Sequence, residues 1–369
     1  MACDAYRRIR TSNYRAIVGN GLSRNGYESF PVYIRLLFAN GNRRYQLIFP
    51  FASVIGECKR RLTFFGEAIS LAAKSNAAKP FVKWAGGKTQ ILDYIRMKYP
   101  PGFGKTITKY AEPFVGSGAV LFDILGSYKL DQVFISDINQ ELIVAYRTIR
   151  DNVEALVSRL TAIEKDYLSS DKGRRTDIYY YNRDRYNALK SSADETEEIA
   201  ALFIFLNKTC YNGLYRVNSK GSFNVPQGVY KNPRICDADN LRAVSETLQN
   251  VHIICGDYRE SDAFIEKNVF AYFDPPYRPL SLSSNFTAYS HNGFCDKEQI
   301  ALARYIDALN ERGAYILASN SDPKNSGESD GFFDDLYARY KISRINASRA
   351  INSNSDKRGK INELLIANY

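Results

Sequence analysis

Short apolar runs alternate with amphipathic stretches along the chain from residue 79 onward. The runs predicted as strands are residues 109–112, 132–136, 252–255, 269–274, 313–319 and 364–369. This alternation is typical of an α/β fold, in which helices connect the strands of a parallel sheet. Ligands bind such sheets at the carboxyl ends of the strands, so functional residues are expected where these runs stop.

The strand pattern stops between residues 150 and 249. This stretch contains charged helical segments and a loop rich in Gly, Asn and Tyr at residues 209–232. We interpret it as an inserted, mainly helical domain. The expected organisation is a basic N-terminal extension over residues 1–78, a main domain formed by residues 79–149 and 250–369, and an insertion over residues 150–249.

One helix has clear signals for its start. Asp296 is the expected N-cap, and Gln299 completes a capping box with it. Apolar residues then recur at helical spacing, at Ile300, Ala303, Ile306 and Leu309. The pattern predicts a helix over residues 296–311 with a structural role.

The composition limits the classes of function. The chain has 369 residues, 45% hydrophobic and 24% charged, which is typical of a folded protein with more than one domain. Its six cysteines are far apart and it has only two histidines, so we expect neither a disulfide scaffold nor a metal site. The apolar runs are too short to span a bilayer, and we expect no membrane segment and a cytoplasmic location.

The positive charge is concentrated near the N-terminus. The formal net charge of +10 indicates a polyanionic partner. Residues 1–78 contain twelve Lys and Arg against four Asp and Glu, which leaves the rest of the chain nearly neutral. The extension is either a dispensable appendage or an arm that binds phosphates without sequence preference.

A turn with two glycines follows the first apolar run. Glu112-Pro113-Phe114-Val115-Gly116-Ser117-Gly118 leads into a helical stretch, and its glycines permit a tight turn against a ligand. Asp137 ends the next run, where nucleotide-binding α/β folds place a carboxylate for ribose hydroxyls. A single glycine pair favours adenosine without a pyrophosphate over NAD. The alternative is an ordinary helix start and an ordinary Asp at a strand end.

An upstream segment, Lys83-Trp84-Ala85-Gly86-Gly87-Lys88-Thr89, is similar to part of a phosphate-binding loop. That loop requires a glycine where Val82 stands, so an NTPase is excluded. Trp84 is the only tryptophan, and it either covers the face of a ligand or packs in the core.

Asp274-Pro275-Pro276-Tyr277 follows an apolar run and is the strongest chemical signal. Its two prolines restrict the backbone and remove two N–H donors. Asp274 and the carbonyl of Pro275 can accept the two hydrogens of an exocyclic amine and direct its lone pair, while Tyr277 stacks on the base. A base in a duplex must leave the helix to be reached. The alternative is a rigid surface turn.

From residue 79 to residue 369 the chain resembles the α-group DNA adenine-N6 methyltransferases, the Dam-like enzymes that modify GATC. The matching motifs are Phe81-Val82-Lys83-Trp84-Ala85-Gly86-Gly87-Lys88, the Glu112 to Gly118 turn, Asp274-Pro275-Pro276-Tyr277 and Asn285-Phe286-Thr287-Ala288-Tyr289. The resemblance implies a Rossmann-like methyltransferase sheet with S-adenosylmethionine as cofactor. The implied cofactor contacts are Trp84, Lys88, Phe114, Gly116, Ser117, Gly118, Asp137, Asp257 and Tyr258.

The same resemblance implies that residues 209–232 include a β-hairpin that enters double-stranded DNA. Arg216 matches the position that reads guanine, and a bidentate Arg–guanine pair is typical of such readers. Tyr211 and Asn212 match residues that intrude at the flipped base pair. Other matched recognition positions are Lys83, Leu214, Pro226 and Tyr230.

A C-terminal segment also resembles a family motif, one that contacts the DNA backbone. It comprises residues 349–354 together with Arg358 and Lys360. Ser355-Asp356 stands where small residues are common in the family, so a solvated loop is the competing interpretation.

The leading hypothesis is a monomeric enzyme that methylates N6 of a flipped adenine in double-stranded DNA, within GATC and without a metal ion. Two alternatives stay open. One is cytosine-N4 methylation on the same fold, and the other is a noncatalytic DNA-binding protein that keeps a methyltransferase scaffold. The presence of Asp137, Asp274 and Tyr277 argues against the noncatalytic alternative.

Overall fold

The computed structural model describes residues 9–11, 14–18, 33–40, 43–50, 77–190, 197–278, 294–325, 329–348 and 360–369. The chain divides into two compact units, Met1–Ser75 and Asn76–Tyr369. The described part of the first unit is an antiparallel sheet in the order β1-β2-β3-β4. Its strands are β1 (Ile9–Thr11), β2 (Tyr14–Val18), β3 (Tyr33–Asn40) and β4 (Arg43–Pro50).

The second unit contains a seven-stranded sheet in the order β10-β11-β9-β8-β5-β6-β7. The strands are β5 (Lys109–Glu112), β6 (Gln132–Asp137), β7 (Val251–Cys255), β8 (Val269–Phe273), β9 (Tyr315–Ser321), β10 (Lys341–Ser348) and β11 (Lys360–Ala367). Strands β5 to β9 pair in parallel, and β10 and β11 join antiparallel. The predicted α/β class is confirmed.

Every strand predicted from an apolar run is present, with small shifts at the ends. The sequence interpretation missed the four strands of the first unit, and in the second unit it missed β10. Strand β10 is an edge strand that pairs only with β11 among the described residues. Its residues with described side chains are mostly exposed or half-buried, and only Ile345 is buried. A half-polar edge strand of this kind gives a weaker apolar signal than the central strands.

Helices cover both faces of the sheet. They are α1 (Leu92–Arg96), α2 (Ala119–Ser127), α3 (Gln140–Ser169), α4 (Lys172–Lys190), α5 (Glu197–Thr209), α6 (Ala238–Leu248), α7 (Asp296–Glu311) and α8 (Phe332–Leu336). Alternate strand residues enter two apolar clusters: Tyr110 and Tyr272 join one, and Ala111 and Phe273 join the other. The period of two places successive side chains on opposite faces, so the sheet is buried on both sides.

Helix α7 begins at Asp296, the residue that was expected to be its N-cap. Cys295 is the N-cap, and its backbone N–H donates to Glu298 Oε2 at 3.0 Å, so the prediction of Asp296 and Gln299 as the capping pair is wrong. A cysteine is not among the favoured N-cap residues, which explains the error. Gln299 is instead fully buried and donates to the carbonyl of Pro276 at 3.1 Å.

The helices within residues 150–249 share a core with the sheet. Leu156 of α3, Phe203 of α5 and Leu241 of α6 belong to the same apolar cluster as Tyr110 of β5. Contacts therefore keep residues 76–369 together as one unit. The assignment of residues 150–249 to target recognition stays a prediction.

The loop at residues 209–232 forms two isolated antiparallel bridges, Cys210 with Gln227 and Val217 with Phe223. The resemblance implied a β-hairpin, and the two bridges are its only ladder pairing within this described loop. A 3-10 turn over Tyr211–Gly213 interrupts the first arm, and within it Asn212 adopts a left-handed φ of 56°.

No helix in the described ranges has the length and apolarity needed to cross a membrane.

Candidate active site

A cavity of about 430 Å³ opens at the carboxyl ends of β5, β6, β7 and β8. The predicted residues that line it are Trp84, Lys88, Phe114, Gly116, Ser117, Asp137, Asp257, Tyr258, Asp274, Pro275, Pro276 and Tyr277. These residues come from five separate stretches of sequence. The parallel register explains their convergence, since it places the ends of neighbouring strands at one edge of the sheet.

The glycine turn after β5 has little room for side chains. Gly116 and Gly118 have φ angles of 49° and 75°, in the left-handed region that favours glycine. A Cβ on Gly116 would lie 3.0 Å from Trp84 Cδ1, and one on Gly118 would lie 2.5 Å from the Tyr146 hydroxyl. The turn therefore brings bare backbone to the cavity at Gly116, while Gly118 starts α2 behind it.

Asp137 ends β6 and its carboxylate is held by backbone donors. Gly116 N–H donates to Oδ2 at 3.0 Å, and Asn139 N–H donates to Oδ1 at 2.9 Å. Burial raises the pKa of Asp137, and these backbone hydrogen bonds oppose that rise. Each oxygen keeps a further acceptor position, which suits a pair of ribose hydroxyls.

An aromatic wall stands beside the Asp137 turn. Tyr258 is buried, with its ring centroid 5.7 Å from Phe114 and 5.2 Å from Tyr305. Phe294 lies edge-on to Phe114 at 5.8 Å. These rings provide apolar surface for a planar group.

Asp257 precedes Tyr258, and its carboxylate already interacts with nearby Arg259. It caps a 3-10 turn over Tyr258–Ser261 by accepting from Arg259 N–H at 2.7 Å. Its other oxygen pairs with the Arg259 guanidinium at 2.7 Å. The carboxylate lies at the cavity, but a ligand amino group would share it with Arg259.

Asp274 follows β8 and has a fixed partner on each oxygen. Lys88 Nζ lies 2.6 Å from Oδ2, and the buried Ser319 hydroxyl donates to Oδ1 at 2.8 Å. Burial raises the pKa of Asp274, whereas the charge and hydrogen bond of Lys88 and the Ser319 hydrogen bond lower it. The hydroxyls of Ser319 and Tyr272 are 2.9 Å apart, which extends the network into the sheet.

Lys88 has a second role in the same network. It is only 4% exposed and also donates to the carbonyl of Gly86 at 2.6 Å. Its ammonium lies 4.7 Å from the centroid of the Tyr277 ring. A buried ammonium with these three partners links the segment before α1 to the Asp274 turn.

Sequence reasoning assigned no role to several residues at this site. Buried Glu112 lines the cavity and accepts from the Tyr110 hydroxyl at 2.7 Å, and burial raises its pKa to about 8. Ser319 and Glu363 contact Asp274 and Tyr277 from β9 and β11. Glu112 was visible in the motif before Pro113, whereas Ser319 and Glu363 have no local sequence signal.

The predicted recognition residues form two groups. In one, Lys83 Nζ lies 5.0 Å from the centroid of the Tyr230 ring. The backbone of Lys83 pairs with the side-chain amide of Asn207 through two hydrogen bonds of 2.8 Å. A Cβ on Gly213 would lie 2.5 Å from Lys83 Cδ, so this glycine permits the close approach.

The second group consists of Arg216, Tyr211, Leu214 and Pro226, all in the loop of residues 209–232. The guanidinium of Arg216 is exposed and donates to the side-chain and backbone oxygens of Asn224 at 2.8 and 3.3 Å. Tyr211 is 55% exposed, and its backbone N–H donates to the carbonyl of exposed Pro226 at 2.9 Å. Leu214 is half-buried and packs against the core.

Two predicted motifs lie outside the described residues. They are Asn285-Phe286-Thr287-Ala288-Tyr289 and the segment of residues 349–354 with Arg358. Within the described residues, no group of three or more His, Cys, Asp or Glu side chains is arranged to hold a metal ion.

Comparison with known proteins agrees with this geometry. Residues 84–351 match the family described as D12 class N6 adenine-specific DNA methyltransferase. The type II methyltransferase M.MjaIII of Methanocaldococcus jannaschii is 48% identical over 293 residues, covering 79% of this chain and 99% of that protein. The DNA adenine methylase of Escherichia coli K12 is 35% identical over 292 residues, covering 79% of this chain and 95% of that protein.

The fold and the cavity define an α/β protein with an open site at the carboxyl edge of its parallel strands. The chain belongs to the D12 class N6 adenine-specific DNA methyltransferase family. The Dam-like resemblance is thus confirmed, and the protein is an adenine-specific DNA methyltransferase. Membership of this family implies the use of S-adenosylmethionine.

Proposed function

We propose that this protein methylates N6 of an adenine that has been extruded from double-stranded DNA, with GATC as its site. The observation that carries the proposal is that Asp274 and Asp137 line one cavity. Asp274 is suited to an amino group, and Asp137 is suited to ribose hydroxyls. A cofactor and a target base held by these two carboxylates would lie side by side.

The residues of the cavity fit S-adenosylmethionine. Asp137 would hold its ribose, since both carboxylate oxygens are already oriented by backbone N–H groups. Phe114, Tyr258 and Asp257 would hold its adenine ring and amino group. Gly116 supports this fit because a side chain there would meet Trp84. The other proposed contacts are Trp84, Lys88 and Ser117, which line the cavity, whereas Gly118 does not line it and would act only by shaping the turn.

S-adenosylmethionine, when bound, supplies an electrophilic methyl group on its sulfonium. The chain's contribution is to prepare the nucleophile. An aromatic amine is a poor nucleophile because its lone pair is delocalised into the ring, and acceptors on its two hydrogens draw charge toward nitrogen. Asp274 and the carbonyl of Pro275 are the proposed acceptors, and Pro276 keeps the turn rigid.

Lys88 and Ser319 keep Asp274 in place for this task. They hold one carboxylate oxygen each, so the side chain has little freedom to rotate. Each oxygen still has an acceptor position for the amine. Burial of the pair also keeps water from competing for the amino group.

The target base must leave the duplex because its amino group is paired there. Extrusion costs a few kcal/mol, and stacking of the base on an aromatic ring offsets part of that cost. Tyr277 is the proposed stacking surface. Tyr211 and Asn212, at the exposed 3-10 turn, would fill the gap that the extruded base leaves in the DNA duplex.

Residues 150–249 are the proposed target-recognition region, and residues 79–149 and 250–369 the proposed catalytic region. Arg216 would read guanine in the major groove. The exposure of its guanidinium supports this role, and hydrogen bonds from Nε and one Nη to the oxygens of Asn224 orient it. The other proposed recognition contacts are Lys83, Leu214, Pro226 and Tyr230.

The decisive experiment is incubation of plasmid DNA with the full chain and labelled S-adenosylmethionine. We expect N6-methyladenine in the digested DNA, mapped to GATC. Label at N4 of cytosine would replace the adenine assignment, label at adenines in another sequence would replace GATC, and binding without any label would favour the noncatalytic alternative. M.MjaIII is named a type II methyltransferase, and neighbouring genes would show whether a companion endonuclease accompanies this protein.

A further inference from the structure

The ring of Tyr277 is anchored by a residue far away in sequence. Its hydroxyl donates to Glu363 Oε2 at 2.7 Å, across 86 positions of sequence. Glu363 lies on β11, at the point where that strand pairs with Ser321 of β9. The anchor therefore comes from the sheet itself, beside the strand that carries Ser319.

The backbone alone does not orient this ring. Pro275 and Pro276 restrict the main chain before Tyr277, and Gln299 of α7 holds the carbonyl of Pro276. None of these contacts limits rotation about the side-chain bonds of Tyr277. The hydrogen bond to Glu363 restricts rotation about the Cα–Cβ bond, because swinging the ring about that bond would carry the hydroxyl away from its acceptor. The Lys88 ammonium over the ring face restricts the turn of the ring plane.

The chemistry of Tyr277 and Glu363 suits a stable hydrogen bond that holds the ring in place. Burial, followed by the charges of Asp274 and Glu363, raises the pKa of Tyr277, so its phenol stays protonated and acts as a donor. A hydroxyl that donates to a carboxylate makes a shorter and stronger bond than one between neutral groups. Lys88 lies over one face of the ring at 4.7 Å, and Tyr277 also lines the cavity in which a planar group would bind.

We propose that Glu363 is a positioning residue, which fixes the Tyr277 ring in the orientation that stacks on the extruded adenine. This inference rests on the proposed function. Glu363 transfers no proton and touches no substrate in this role. Its effect on the reaction passes entirely through the Tyr277 hydroxyl.

The test uses the full chain with a GATC duplex, and a second duplex with 2-aminopurine in place of the target adenine. We expect Glu363→Ala to lower kcat about tenfold, which corresponds to about 1.4 kcal/mol. The rise in 2-aminopurine fluorescence on binding should change, since stacking on an aromatic ring alters it. Glu363→Gln keeps an acceptor oxygen and should restore most of the rate.

A double-mutant cycle separates positioning from general stability. Tyr277→Phe removes only the hydroxyl and should slow the reaction as much as Glu363→Ala does. Adding Glu363→Ala to Tyr277→Phe should cause no further loss. Glu266→Ala is the matched control, because Glu266 is exposed and pairs with Lys109 at the start of β5.

The outcomes distinguish this inference from the function on which it rests. Wild-type protein that methylates no adenine would refute the proposed function. Wild-type activity with an unchanged rate and fluorescence in Glu363→Ala would refute the positioning role, as would additive losses in the double variant. If Glu363→Ala does not fold, Glu363→Gln and Tyr277→Phe are compared alone, and a full rate in Tyr277→Phe overturns the inference.

Discussion

Lys88 Nζ lies 2.6 Å from Asp274 Oδ2, and the lysine side chain is almost completely excluded from solvent. This ion pair connects a segment next to the cofactor cavity with the turn proposed to hold the target amine. Removal of one partner would leave the other as an uncompensated buried charge, which is strongly destabilising. Loss of either partner should therefore affect the stability of the fold, the ionisation of the other partner and catalysis together.

Loss of the Lys88 charge should shift the pH dependence of the enzyme. Burial raises the pKa of Asp274 and Lys88 opposes that rise, so Lys88→Met should raise this pKa further. Asp274 must be ionised to accept from an amine, and the acidic limb of kcat/KM should therefore move to higher pH. Lys88→Arg keeps the charge and should leave the limb near its original position. Identical pH profiles for wild type and Lys88→Met would contradict the coupling.

Asp274→Ala should remove most turnover. It leaves buried Lys88 without its carboxylate partner and should lower the unfolding temperature, but below that temperature DNA binding should stay largely intact. The loss of a preorganised acceptor at a reacting group typically costs about a hundredfold or more in kcat. Methyl transfer would be measured beside binding of a GATC duplex by anisotropy. Glu266→Ala, at the opposite end of the strands, serves as the control. Wild-type turnover in Asp274→Ala would remove the catalytic assignment.

Arg216→Ala should relax discrimination at the guanine of the site. A bidentate Arg–guanine contact is worth about 1–3 kcal/mol of specificity. The rate of methylation at sites altered at that base, relative to the rate at GATC, should therefore rise by the factor that corresponds to this energy. Lys220→Ala removes an exposed positive charge from the same loop and should weaken binding without changing the ranking of sites. The measurement is a competition among duplexes with single-base changes, and an unaltered ranking in Arg216→Ala would disprove the role.

Glu112 should make the stability of the protein depend on pH. Burial raises its pKa from 4.5 to about 8. The folded state therefore binds this proton more tightly than the unfolded state, and the contribution is complete below about pH 4.5 and is lost as pH rises toward 8. Glu112→Gln has no such proton to lose. Its stability relative to wild type should thus increase between pH 5 and 8 in urea unfolding, and parallel curves would exclude a titrating Glu112.

Removal of residues 1–77 should leave methyl transfer intact. The second unit has its own sheet and core, and the family match begins at residue 84. The removed stretch is rich in Lys and Arg, so nonspecific DNA binding by the truncated chain should depend less steeply on salt. A large fall in kcat/KM on GATC DNA at low salt would show instead that the extension takes part in the reaction.

The apolar pattern was sufficient to predict the central strands of the seven-stranded sheet. It did not predict the edge strand β10 or the N-cap of α7. Central strands such as β8 are buried on both faces, so their sequences are continuous apolar runs that are easily recognised. Strand β10 lies at an edge and was missed because half of its residues face solvent. The Cys295 cap was missed because its side chain is not a usual capping group.

The site was predictable where its residues are neighbours in sequence. Asp274 and Tyr277 share one motif, and the motif directs attention to them. Ser319 and Glu363 are 45 and 86 positions from the groups they hold, and their contacts exist only once β9 and β11 are paired with the rest of the sheet. A single sequence contains no signal for such distant hydrogen bonds.

The close approach of Gly213 to Lys83 limits how this enzyme could be engineered toward a new target sequence. Any side chain at position 213 would collide with the lysine stem, and position 213 also requires a positive φ. A foreign recognition loop that lacks glycine at this position would therefore also require exchange of the segment containing Lys83. The two stretches behave as one module for redesign, although they are far apart along the chain.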